Sequence, residues 1–166
     1  MADQTAKPIF EVKFDAAGKA VGKMRNEVTL VARQPFQTTN MLATDEGAFQ
    51  GGEETAPTPL EYFLTGLVGC LMTQIRVFAK RMKVQIDDLE VTCQAHWSAH
   101  KDEVGPYQGR PEGFQINVRV ETPEGRARIE ELVGAARRGC FVEATLAQAN
   151  TIEHSIDVVG ETSASA

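Results

Sequence analysis

Cysteine is scarce in this chain: three in 166 residues, too few for a disulfide framework, so each is weighed for reactivity or for packing. Positive charge is sparse as well. Lys and Arg number 17 against 23 Asp and Glu, a formal net charge of −6, and they are scattered or sit at helix ends, which argues against a nucleic-acid surface. No run reaches the roughly 18 uninterrupted apolar residues that a membrane span needs. The opening MADQTAKPIF has no apolar core of a secretory signal. A glycine-rich phosphate loop, a nucleophile-elbow serine and internal repeats are also missing. These absences lead to the expectation of a soluble cytoplasmic protein folding as one domain over 1–166, with 1–7 and 160–166 as loose tails. A chain of this length can bury a real core.

The stretch that stands out is APTPLEYFLTGLVGCLMTQIRVFAKRMK, residues 56–83. Thr58 is a good N-cap, Pro59 suits the first helical position, and Glu61 completes a Thr-x-x-Glu capping box. Between Leu60 and Met72 only Glu61, Thr65 and small residues interrupt the apolar run, which predicts a long helix buried nearly all round. Its cations, Arg76, Lys80, Arg81 and Lys83, collect at the far end, where the helix dipole is negative. Cys70 lies near its middle, after Gly66 and Gly69, which permit close approach of a backbone or a ligand.

Before this helix, Ile9, Val12 and Phe14 open a strand, Ala16–Lys19 reads as a turn, and strands are expected at 20–25 and 27–33. Residues 34–54 read as loop, ending in DEGAFQGGEETAP. After it, Leu89, Val91, Cys93, Ala95 and Trp97 alternate with polar residues, as do Phe114, Ile116, Val118 and Val120, so an antiparallel pair flanks the polar loop 100–113. Thr122-Pro123 signals a second helix with the stripe Ile129, Leu132, Val133 and Ala136, ended by Gly139. A short helical run follows Cys140, and Ile152, His154, Ile156 and Val158 mark a last strand. The order βββ–α–ββ–α–α–β gives an α+β fold with antiparallel sheet packed on a long central helix.

Cys93, on the apolar face of its strand, reads as a small hydrophobe. Cys70 by itself is a core thiol unless a cation is brought to it, because only the thiolate attacks electrophiles. Cys140 follows Arg137 and Arg138 at a helix start, which favours thiolate, or it simply closes a helix corner. Glu61 is explained by the capping box. Cys93, His96 and His100 have a vaguely metal-like spacing, but residues 93 and 96 of a strand face opposite ways, so no metal site is expected. His154 is read as a half-buried, hydrogen-bonded residue.

The run GGEETAPTPLEYFLTGLVGC, with GCFVEATLAQANTIEHSIDV some seventy residues later, resembles the OsmC/Ohr family, and within it the OsmC-like branch. The similarity extends from about Val28 to Val158. It implies an intertwined homodimer with sites at the subunit interface and a peroxiredoxin-like role in stress response. By the same resemblance Cys70 is the peroxidatic thiol and Cys140 the resolving one. An arginine of the N-terminal strands, Arg33 first and Arg25 second, holds the thiolate, since Arg keeps its charge even in a dry site. A helix-start glutamate orients that arginine. The substrate is an organic hydroperoxide and an external dithiol restores the enzyme, with no metal or other cofactor, no nucleic acid and no membrane involved. The chain departs from that pattern. The position ten residues before the cysteine, where the peroxidases carry their glutamate, is Leu60, and Glu61 is one step on, rotated by about 100°. The second cysteine, usually followed by Pro, is followed by Phe141. An alternative that Leu60 motivates is a non-enzymatic dimer binding a small apolar or thiol-reactive ligand.

Overall fold

The computed structural model describes residues 7–159. It divides into two compact units, one holding the residues up to Gly66 together with Ala95–Phe114, the other holding Leu67–Gln94 and the residues from Gln115 on.

The first unit begins with a three-stranded antiparallel sheet of β1 (Lys13–Ala20), β2 (Asn26–Gln34) and β3 (Thr38–Thr44), in that spatial order. The expected turn at Ala16–Lys19 is instead strand, with Ala17 opposite Thr29 and Gly18 opposite Val28. The chain reverses in 21–25, where a strand was expected, and the Val21 N–H closes that turn on the Arg25 carbonyl at 3.0 Å. Pairing along the whole of β2 outweighs the local turn preference of Ala-Ala-Gly. β3 falls in what reads as loop. Its sequence TTNMLAT has no alternation to announce it, and the free edge of β2 supplies the partner that its β-branched residues need, with Leu30 opposite Asn40.

Helix α1 runs from Pro59 to Met82, about 36 Å at about 1.5 Å per residue. The capping box is formed in full. The Glu61 carboxylate accepts the Thr58 N–H at 2.6 Å and the Thr58 hydroxyl at 2.8 Å, and the Glu61 N–H reaches the same hydroxyl oxygen at 3.3 Å. At the other end Lys83 adopts φ 55°, and the Val84 N–H bonds back to the Ala79 carbonyl at 2.9 Å, a Schellman ending without the usual glycine. The helix is not buried all round. A stripe of every fourth residue, Leu67, Leu71, Ile75 and Ala79, is buried, while Leu60 and Val77 are exposed.

In the second unit that stripe meets α2 (Arg126–Gly139), whose Leu132 and Ala136 are fully buried with Cys140. Around them pack Leu89 and Val91 of β4 (Asp88–His100) and Ile116 and Val118 of β5 (Gln108–Glu121), the alternating positions of the two-stranded sheet. By length and composition α1 would also pass for a membrane span, but its apolar stripe belongs to this core. The polar connection between β4 and β5 is shorter than the sequence suggests, only 101–107.

Two further expectations are corrected here. Helix α2 starts at Arg126 with Gly125 as N-cap, not at Thr122. Thr122 instead donates its hydroxyl to the Gln85 carbonyl at 2.6 Å and accepts the Glu124 N–H, so it shapes the turn before the helix. The short α3 (Phe141–Leu146) follows as expected, but residues 151–159 form no strand. Ile152, Ile156 and Val158 are exposed, and so is His154. A period-two segment becomes a strand only where a sheet edge receives it.

Candidate functional site

The two cysteines that the sequence singles out come together in the second unit. Cys70 sits on α1 between exposed Gly69 and buried Leu71, and is half-buried. Beside each of Gly66 and Gly69 there is open space where a side chain would stand, so this face of the helix is uncrowded. Cys140 is fully buried at the junction of α2 and α3. It serves both helices with its backbone, donating its N–H to the Arg137 carbonyl and accepting the Ala144 N–H at 2.9 Å. Its position depends on Gly139, where a Cβ would stand 2.6 Å from the tip of the Phe78 ring. A larger residue there would have to push the Phe78 ring aside.

The Cys140 thiol neighbours that of Cys70, which packs against the same core. Burial pushes the Cys140 thiol up to about 11, and the neighbouring Cys70 thiol adds to the rise against the backbone N–H groups of Glu143 and Val142, which oppose it. Burial thus favours the neutral thiol, in keeping with the reading in which Cys140 closes a helix corner. The cations before it do not neutralise it: Arg137 turns to Glu143 at 3.3 Å and Arg138 is exposed. Burial also raises the Cys93 thiol, and its sulfur faces the Gln94 carbonyl, in keeping with an inert packing residue.

The charged candidates belong to the first unit, and each has a partner there. Arg33 donates Nε to Asp15 Oδ2 at 2.6 Å, with both side chains more than half exposed. Arg25 donates Nη1 to the Thr55 hydroxyl at 2.9 Å and to the Thr55 carbonyl at 3.1 Å, with Glu27 at 3.9 Å from its other terminal nitrogen. Glu61 is spent on Thr58, whose N–H and then hydroxyl hold its carboxyl below the usual range. Phe63 packs with Trp97 and Phe114, the three ring centroids 5.5 to 6.0 Å apart.

The sequence gives no hint of Asp45. Among the described residues it is the one buried charged side chain, 1 % exposed. In the sequence it is one of four acids in a loop, and nothing local separates the buried acid from the exposed ones. No group of three or more His, Cys, Asp or Glu side chains among the described residues converges as a metal would require.

A family model for OsmC-like protein matches residues 51–155. Among solved structures, an OsmC-like hydroperoxide resistance protein from Jannaschia sp. CCS1 is 45% identical, covering 89% of this chain and 94% of its own with a TM-score of 0.60. An organic hydroperoxide resistance protein OsmC from Legionella pneumophila is 19% identical over 84% of this chain and 91% of its own, with a TM-score of 0.55. An OsmC-like protein from Mycoplasma pneumoniae shares the fold at 14% identity, over 82% of this chain and 87% of its own, with a TM-score of 0.59. No curated protein sequence matches this chain.

Proposed function

The chain belongs to the OsmC-like family, and from that premise we propose that it is a thiol-dependent reductase of organic hydroperoxides. The observation that carries this reading is that the Cys70 and Cys140 thiols are neighbours, in a family whose 45% identical relative is a hydroperoxide resistance protein. Cys70 as thiolate attacks one oxygen of the O–O bond. The bond breaks, Cys70 becomes a sulfenic acid, and the departing alkoxide takes a proton to leave as alcohol. The Cys140 thiol then condenses with the sulfenic acid, forming the Cys70–Cys140 disulfide and releasing water. An external dithiol, itself oxidised to a disulfide, returns both thiols.

In the second step Cys140 must give up its proton to attack the sulfenic sulfur, and that proton leaves with the sulfenic hydroxyl as water. An arginine of the N-terminal strands, Arg25 or Arg33, holds the Cys70 thiolate in this reading. The apolar side chains Leu60, Phe63, Leu64 and Leu67 favour an organic peroxide over hydrogen peroxide. The working form is a homodimer. Supporting it are the exposed apolar side chains of the first unit, among them Phe14, Phe36 and Met41, and the unpaired alternating segment Ile152–Val158. In the test, Cys70→Ser is expected to abolish cumene hydroperoxide consumption with a dithiol reductant. A variant as fast as wild type sinks the reading.

One observation favours a second reading. Leu60 stands where the peroxidases have their glutamate, and Glu61 is consumed by the cap. On that reading the dimer binds a small apolar or thiol-reactive ligand without turnover. Mass spectrometry after mild peroxide separates the two, because a Cys70–Cys140 bridge formed stoichiometrically counts against a purely packing role for the thiols.

A further inference from the structure

A buried cysteine that must surrender its proton needs a group to receive it. We propose that the Glu143 carboxylate is the general base that takes the Cys140 proton and hands it to the departing sulfenic hydroxyl; this rests on the thiol-peroxidase reading above.

Glu143 is the third residue of α3, and Cys140 immediately precedes that helix. Its side chain, 19 % exposed, folds back onto the last turn of α2, where it accepts Arg137 Nε on Oε2 at 3.3 Å. Arg137 is also the residue whose carbonyl receives the Cys140 N–H, at 3.3 Å. The carboxylate is thus held across the junction that Cys140 occupies, and all of these groups belong to the second unit. Its other oxygen, Oε1, is buried and has no hydrogen-bond partner, the one side-chain oxygen or nitrogen so placed among the described residues. Buried polar atoms are nearly always paired, so an orphaned carboxylate oxygen calls for a proton to receive. The pair with Arg137 accounts for Oε2 alone.

The chemistry has need of such a group. With burial raising the Cys140 thiol to about 11, only about one part in ten thousand is thiolate at neutral pH. As Cys140 Sγ closes on the Cys70 sulfenic sulfur, its proton passes to Glu143 Oε1. The S–S bond forms and the S–O bond breaks. The departing hydroxide takes the proton from Glu143 and leaves as water, so the carboxylate is regenerated. The sulfenic sulfur is reduced, the Cys140 sulfur is oxidised, and Glu143 ends unchanged. The backbone N–H groups of Glu143 and Val142 favour negative charge on the Cys140 sulfur, so the charge that develops meets donors already in place.

The experiment gives the full-length protein one equivalent of cumene hydroperoxide across the neutral and mildly alkaline pH range. Quenched-flow mass spectrometry follows two species separately, the Cys70 sulfenic acid trapped with dimedone and the Cys70–Cys140 disulfide. Glu143→Gln keeps the shape of the side chain but cannot take the proton. It is expected to form the sulfenic acid at the wild-type rate and to close the disulfide about a hundredfold more slowly at neutral pH. Its closure rate should rise about tenfold per pH unit, because only preformed thiolate then attacks, whereas wild type stays flatter. In Glu143→Ala, added formate should recover part of the closure rate, while wild type gains nothing from it. Closure in Glu143→Gln at the wild-type speed overturns the proposal and leaves the peroxidase reading intact. Slower closure with the wild-type pH dependence, and no recovery of Glu143→Ala by formate, overturns it as well, since Glu143 then only braces the junction through Arg137. A wild-type protein that forms no Cys70 sulfenic acid removes the peroxidase reading itself, and the proposal with it.

Discussion

Two titrating residues, Asp45 and Cys140, give the protein opposite pH limits. The Asp45 carboxyl is held at about 2, below its ordinary 3.8, by the hydroxyl and N–H of Thr55 together with further backbone N–H groups. A depressed acid contributes stability that is present above its unfolded value and lost as pH falls through the folded one. Acid unfolding should therefore draw on Asp45 between about pH 4 and pH 2, and Asp45→Asn, though less stable at neutral pH, should show a flatter melting temperature across that window. Cys140 behaves in the other sense. Burial raises its thiol from 9.0 to about 11, so its contribution is complete below about pH 9 and lost as pH rises toward 11. Thermal melts from pH 8 to 11 should fall less steeply for Cys140→Ala than for wild type, even though the variant starts lower. A parallel slope would show that the Cys140 proton is not what the alkaline limb reports. Gly139 is a residue-scale constraint of another kind: Gly139→Ala must push the Phe78 ring aside and should loosen the corner that presents Cys140.

At the scale of elements, α1 is fixed by its two ends more than by the middle. The Thr58–Glu61 capping box satisfies orphan N–H groups at the start, and Thr58→Ala should cost about 1 kcal/mol, read as a lower midpoint in urea at unchanged slope. At the other end Lys83 occupies the left-handed region at φ 55°, where an L side chain costs about 1–2 kcal/mol and glycine nothing. Lys83→Gly should therefore stabilise the protein, raising the melting temperature by about 2–4 °C per kcal/mol recovered. A loss of stability would mean that the Lys83 side chain makes contacts outweighing the backbone strain. Between these ends the buried positions recur every fourth residue, Leu67, Leu71, Ile75 and Ala79, and α2 answers with Leu132, Ala136 and Cys140. The same spacing that packs the core thereby brings Cys140 to α1 beside Cys70.

At the scale of the whole molecule, some of the exposed apolar side chains lie in the N-terminal sheet region and in the C-terminal segment. Phe14, Phe36 and Met41 of the N-terminal sheet region are exposed at 59%, 54% and 74%, and Ile152, Ile156 and Val158 alternate without a partner strand. In the dimer proposed above these surfaces are the ones to be covered. Ile152→Asp/Ile156→Asp is expected to shift the protein toward monomer in light scattering while Cys140→Ala does not. Equal masses for wild type and the double variant would place the dimer contact elsewhere.

The sequence by itself determined the elements whose signals are local. The capping box at Thr58, the alternation of Leu89 to Trp97 and of Phe114 to Val120, and the helical spacing of Ile129 to Ala136 were all legible, because cap chemistry and periodicity act over a few residues. Cys70 and Cys140 stood out for the same reason, one in mid-helix and one at a helix junction. Only tertiary structure decided that β1 runs straight through Ala-Ala-Gly, that TTNMLAT is a strand, that burial raises the Cys140 thiol, and that a single acid out of four, Asp45, is buried and bonded to Thr55. Those outcomes depend on which strand edge is free and on how much water a side chain keeps, and both are set by residues distant in sequence.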